Sequence, residues 1–249
     1  MSQVPQSLEA AIAEALTASQ RALIGGHRRL QIELVIPEIA LQAQSLALQF
    51  TSLFTEYGSG LRVMFPDTGA AALARRDWGE TAFLVADLGS RNTPIEKKIS
   101  ERDQAYLVIA PSAVEVQTVE RLCELAGDRP VVLLIPQLED VAVVGIGYAA
   151  RQLRERFLSK LLTSYYLRPL EGLVVLRSYP SLWQVYLEEE NENEYQLIAE
   201  ETQKPMGEAL ELLVIKATQP EGNDTGNNSA PPKSGLFASM GRFLRALNQ

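Results

Sequence analysis

Gly145-Ile146-Gly147-Tyr148-Ala149-Ala150 follows the apolar run Val141 to Val144 and leads into a helical stretch. A strand, a G-x-G-x-x-A turn and a helix are the parts of a dinucleotide fingerprint, because the glycines let backbone N–H groups approach a pyrophosphate at the helix start. The acid expected about 20 positions further on, for a ribose hydroxyl, is not matched. The segment therefore also reads as a Gly-rich turn entering a helix. Arg151 and Arg154 stand in the first turns of that helix, where the macrodipole disfavours cations. On a helical wheel Arg154 falls within the arc of Leu153, Phe157, Leu158, Leu161 and Leu162, so it is expected to be buried and paired. Two partners are open. One is a carboxylate such as Asp67, Asp77 or Asp140; the other is a phosphate-like anion held jointly by Gly145, Gly147, Arg151 and Arg154.

Other reactive side chains are sparse. His27 is the only histidine and Cys123 the only cysteine. Ser-His-Asp or Cys-His machinery would rest on one ring, and clustered thiolate or histidine metal sites are excluded. Cys123 shares a helical face with Val116, Val119 and Leu122, which makes it a small core residue rather than a redox thiol. The small residues Gly69 to Ala72 lack the lysine of a phosphate loop and read as close helix packing. The acidic run Glu188 to Glu194 reads as a solvated hairpin tip. The aromatic group Tyr165, Tyr166, Tyr179, Trp183 and Tyr186 reads as sheet-face packing, with a recognition surface as the alternative. No catalytic residue, metal ligand or cofactor is assigned.

The carboxy-terminal stretch has a different chemistry. A polar linker, residues 218–233, precedes an amphipathic segment, residues 234–249. In that segment Leu236, Phe237, Met240, Phe243, Leu244 and Leu247 share an arc of roughly 120° opposite Arg242 and Arg245. From Lys233 onward there are three basic residues and no acid, a bias that suits an anionic lipid surface or a partner groove. Docking back onto the protein's own body is the competing outcome.

These residues need a scaffold. With 249 residues, 46% of them hydrophobic, the chain can bury a large core. Its net charge of −8 argues against nucleic-acid binding. Helical spacing predicts a helix over Ser7 to Gly25. A strand over Leu30 to Ile36 and a helix over Ile39 to Phe54 follow. Strands are then expected at Leu61 to Phe65, Phe83 to Asp87, Ala105 to Ile109 and Val131 to Ile135, with helices at Ala70 to Trp78 and Val114 to Ala126. This alternation predicts a mainly parallel sheet covered on both faces. Beyond a helix at Arg151 to Leu162, short strands at Tyr165 to Leu167, Leu173 to Arg177, Trp183 to Glu188 and Tyr195 to Ala199 predict an antiparallel meander. A last helix spans Met206 to Lys216. The expected architecture is a single α/β domain with a mixed sheet over residues 1–217. Neither a secretory signal nor a run of about 20 apolar residues is present.

Three strings occur in order: GAAALARRDW (Gly69 to Trp78), VGIGYAARQLRERFLSKLLTSYYLRPL (Val144 to Leu170) and RSYPSLWQVY (Arg177 to Tyr186). Together they resemble the domain of unknown function 1995 family, over the stretch from Pro5 to Ile215. The resemblance implies an origin in oxygenic phototrophs or plastids. One branch looks like the low photosystem II accumulation proteins, which assist assembly of a chlorophyll-binding subunit; another is fused behind adenylate kinase domains. No catalytic residue carries over. The resemblance implies a non-enzymatic accessory or assembly factor, with a photosystem or other thylakoid membrane protein as partner. Such a factor would sit in the cytoplasm, or the plastid stroma, peripherally on the thylakoid membrane. The alternative is a nucleotide or phosphometabolite binding regulatory domain built on Gly145 to Arg154.

Overall fold

The computed structural model describes residues 4–90, 92–138, 148–189 and 194–218. A first helix, α1 (Leu8–Ile24), is capped by Ser7, whose Oγ accepts from the Ala10 N–H at 3.2 Å. Ala11, Ala15, Ala18 and Ala22 form its buried stripe and let the helix lie close on the sheet.

The sheet has nine strands: β1 (Arg29–Leu34), β2 (Leu61–Phe65), β3 (Leu84–Asp87), β4 (Ala105–Ile109), β5 (Val131–Leu134), β6 (Leu162–Leu170), β7 (Leu173–Ser178), β8 (Trp183–Glu188) and β9 (Tyr195–Glu201). Their spatial order is β3-β2-β4-β5-β1-β6-β7-β8-β9. The stretch from β3 to β6 is parallel, and β6 to β9 is an antiparallel meander. The mixed sheet expected from the sequence is present, and its parallel part also takes in β1 and β6.

Helices α1, α2 (Ala43–Phe50) and α3 (Thr68–Trp78) cover one face, their apolar residues merging with Leu30, Ile32, Leu107 and Leu134 in one core. Helices α4 (Val116–Ala126) and α5 (Tyr148–Arg156) cover the other, packing Leu122, Leu153 and Phe157 on Tyr106, Val108 and Leu133. A smaller cluster of Tyr166, Val175, Trp183 and Val185 lies under α6 (Glu208–Thr218). Among the described residues no helix is long and apolar enough to cross a membrane.

Three expectations need correction. The helix expected through Leu162 ends at Arg156, and a 3-10 turn (Leu158–Lys160) leads into β6. The parallel ladder with β1 recruits Leu162 and Thr163 as strand, which no helical periodicity can reveal. The helix expected over Ile39 to Phe54 is broken into a 3-10 turn, α2 and a second 3-10 stretch that runs to Gly60. The strand expected to end at Ile135 stops at Leu134, because Ile135 turns to a φ of 48°. Cys123 is buried on α4 as expected, and burial pushes its thiol up to about 12, so it stays protonated.

Candidate functional site

The parallel strands set the position of the site. β1 leaves the sheet toward α2 on one face, whereas its neighbour β5 is followed by α5 on the other. Where two neighbouring strands depart to opposite faces, a crevice opens beyond their carboxyl ends, and ligands of open α/β sheets bind there.

Prolines shape this edge. Pro37, Pro66, Pro111 and Pro136 all lie just beyond a parallel strand. In the β4 and β5 exits, the residue before proline is in the left-handed region: Ala110 at φ 46° and Ile135 at φ 48°. Each such residue costs of order 1–3 kcal/mol, most for a β-branched side chain. The two exits stay registered, since the Gln137 N–H donates to the Pro111 carbonyl at 2.8 Å and Ser112 bridges Gln137. Their backbones are thereby bent and held as a rim.

Below the rim, β1 has two unlike faces. Leu30, Ile32 and Leu34 are buried under α1, while Gln31 and Glu33 point to the opposite side. On β6 the register shifts opposite Gln31 and Ile32, so that Thr163 pairs Gln31, Tyr165 pairs Ile32 and Tyr166 pairs Glu33. The extra residue, Ser164, contacts Ser19 of α1 at 2.9 Å. The bulge thus returns Thr163, Tyr166 and Arg168 to the polar side of the sheet beside Glu33.

Glu33 is tied down at both oxygens. Its Oε1 accepts from Gln31 Nε2 at 3.1 Å and from Thr163 Oγ1 at 3.4 Å, and its Oε2 accepts from Lys204 Nζ at 2.9 Å. Lys204, from the link between β9 and α6, lies 4.0 Å above the Tyr166 ring and 5.6 Å from the Trp183 ring. Tyr166 meets Trp183 edge-on at 5.1 Å. Burial, reinforced by the Glu33 charge and opposed by Arg168, raises the Tyr166 phenol to about 12. Tyr166 therefore stays protonated at physiological pH, with its phenol oxygen within hydrogen-bonding reach of the Arg168 guanidinium.

The result is a cleft of about 1060 Å³. Its floor is Gln31, Glu33, Tyr166 and Arg168; one wall is Arg154, Glu155, Leu158 and Ser159; the other is Gln203, Lys204 and Met206. Three cations face two carboxylates, and one of those carboxylates, Glu33, is neutralised by Lys204. Arg168 is half-buried and makes no ion pair among the described residues. A guanidinium fork in such a place is suited to a carboxylate or phosphate.

The structure divides the residues singled out in the sequence. Gly145 and Gly147 lie outside the described residues, as do Leu236, Phe237, Met240, Arg242, Phe243, Leu244, Arg245 and Leu247. Arg151 is exposed on α5 and does not line the cleft; Arg154 does. The expectation that Arg154 is buried is overturned: α5 packs Leu153 and Phe157 inward and leaves Arg154 exposed at the cleft wall. Gln31, Glu33, Arg168 and Lys204 were not singled out. One signal was available. The polar residues alternating in RLQIEL sit on a strand that pairs on both sides in a parallel sheet, where both faces are normally apolar.

This arrangement defines a class: a mixed-sheet α/β domain with a cation-rich cleft at the switch point of its parallel strands. The chain belongs to the domain of unknown function (DUF1995) family, whose model matches residues 5–212. That span includes every element from α1 to β9 and the whole cleft lining. No solved structure matches the chain.

Proposed function

We propose that the protein is a non-enzymatic accessory or assembly factor that acts by binding, with the carboxyl-edge cleft as the place where an anionic group is received. One observation carries this reading: Arg168 lies half-buried in the cleft without a carboxylate partner among the described residues, while Glu33 beside it is already held by Gln31, Thr163 and Lys204. A carboxylate held in this way fixes the position of its neighbours. The place of Arg154 in the cleft wall supports the regulatory variant, in which a phosphometabolite is the anion received.

The likeness of the three strings to the low photosystem II accumulation proteins supports a photosynthetic setting, with a photosystem or other thylakoid membrane protein as partner. In this reading the segment 234–249 attaches the protein weakly to anionic lipid. The test is capture of partners by the tagged full chain from solubilised thylakoids, beside a form ending at Thr218. Enrichment of photosystem subunits by the full chain is expected. Metabolic enzymes without photosystem subunits would overturn the photosynthetic setting.

A further inference from the structure

Arg168 stands where two cavities meet. The cleft and a neighbouring pocket of about 390 Å³ share Glu33, Val35, Pro136, Gln137 and Arg168. The residues that line only the smaller pocket, namely Leu34, Ile36, Pro37, Ile39, Ile135, Pro169 and Leu170, are all of apolar type. A cation at the mouth of an apolar pocket selects a ligand with two unlike ends. The left-handed turn at Ile135 contributes to this geometry, since it carries the chain away from the β5 axis and lines the pocket with Ile135 and Pro136.

We infer that the double cavity binds a small organic oxyanion with an apolar body, its carboxylate or phosphate on Arg168 and its hydrocarbon part in the Ile36–Ile39–Leu170 pocket. The charges facing the junction are mixed in sign, with one more cation than carboxylate. Glu33 is matched by Lys204, Arg154 and Glu155 lie on the far wall of the cleft, and Arg168 supplies the remaining positive charge. An inorganic anion would leave the apolar pocket in water, and a neutral alcohol would leave the guanidinium without its counter-ion. Each half alone is therefore a poor ligand. This inference rests on the cleft being a binding site, and it adds the class of ligand.

The test is isothermal titration of the purified full chain with acetate, 1-octanol, octanoate, octyl phosphate and octylamine. Octanoate or octyl phosphate should bind at one site, about tenfold or more tighter than acetate or octanol, and octylamine should not bind. The two octyl anions distinguish a carboxylate head from a phosphate head. Arg168→Gln should weaken the better anion by about tenfold, the usual scale for a charge-assisted contact. Val35→Glu, at an exposed position of the junction, should weaken it at least as much, and Arg151→Gln on the outer surface of α5 should leave it unchanged. Melting curves of the variants establish that each is folded. Acetate binding as well as octanoate, with both lost in Arg168→Gln, would overturn the apolar class while keeping the cleft as an anion site. Octanoate binding that neither Arg168→Gln nor Val35→Glu alters, or the absence of binding by every anion, would overturn both readings.

Discussion

The two ends of the parallel sheet use arginine in opposite ways. At the amino end, Arg62 makes a bidentate pair with buried Asp103, at 2.7 Å through both Nε and Nη2. Arg29 donates to the carbonyls of Cys123 and Gly127 at the end of α4, and to that of Arg129. Arg129 in turn donates to Leu125, Ala126, Ser100 and Asp103 carbonyls. Each guanidinium there closes a helix end or a buried acid. At the carboxyl end, Arg168 has no such commitment to another charge, and the backbone beside it is bent through two left-handed residues, Ala110 and Ile135. One end is built for stability and the other holds strain and an available cation, a division expected where an α/β sheet carries its site.

Breaking the amino end should have the largest effect. Arg62→Ala leaves Asp103, whose side chain is 1% exposed, without its counter-ion. The expected loss is about 3–5 kcal/mol by urea denaturation. Arg29→Ala removes donors from the last carbonyls of α4 and should cost about 1–3 kcal/mol in the same assay. At the carboxyl end the sign reverses. Ala110→Gly relieves a left-handed alanine worth about 1–2 kcal/mol, against the extra unfolded-state freedom of glycine. A net gain of about 0.5–1 kcal/mol is expected.

A smaller effect appears only in acid. Burial by itself would raise the Asp87 carboxyl, but Lys98 at 2.9 Å and the Gly89 N–H at 2.9 Å outweigh it and hold the group below its ordinary value. A depressed carboxyl contributes stability above its unfolded value of 3.8, and loses it as the pH falls through the folded value. Lys98→Met should therefore flatten the acid limb of the stability curve while leaving its shape above pH ~6 unchanged. An unchanged acid limb would remove Asp87 from the account. The smallest effect is the most telling. Arg168→Gln should alter the ligand-free stability by no more than about 1 kcal/mol, because no ion pair is lost and only the contact with the Tyr166 phenol goes; a loss like that of Arg62→Ala would make Arg168 structural.

Much of the fold was legible because it follows from short-range pattern. The apolar runs of β4 and β5, the cysteine face of α4 and the turn-punctuated meander each announce their element within ten residues or so. The site was less legible, since it is made by pairings distant in sequence. Glu33 and Lys204 lie 171 positions apart, and Gln31 and Thr163 lie 132 apart. The bulge at Ser164, which decides that Tyr166 and Arg168 share a side with Glu33, exists only against β1. Arg154 was found because its helical position is odd, but its environment was misjudged: the wheel gives an angle, not the width of what covers it. The polar alternation of Gln31 and Glu33 could have pointed to an open face on a central strand.

The central claim is that ligand is received at the carboxyl edge, on Arg168 and in the apolar pocket beside it. Backbone amide shifts of the 15N-labelled chain, followed by NMR during titration with octanoate or octyl phosphate, test it most directly. The account predicts that the shifts concentrate at Glu33 to Ile36, Ile135, Gln137, Arg168 and Leu170, and vanish in Arg168→Gln. Shifts gathered at the amino end instead, around Arg28, Gln104 and Arg129 where a second cavity of about 800 Å³ lies, would contradict it.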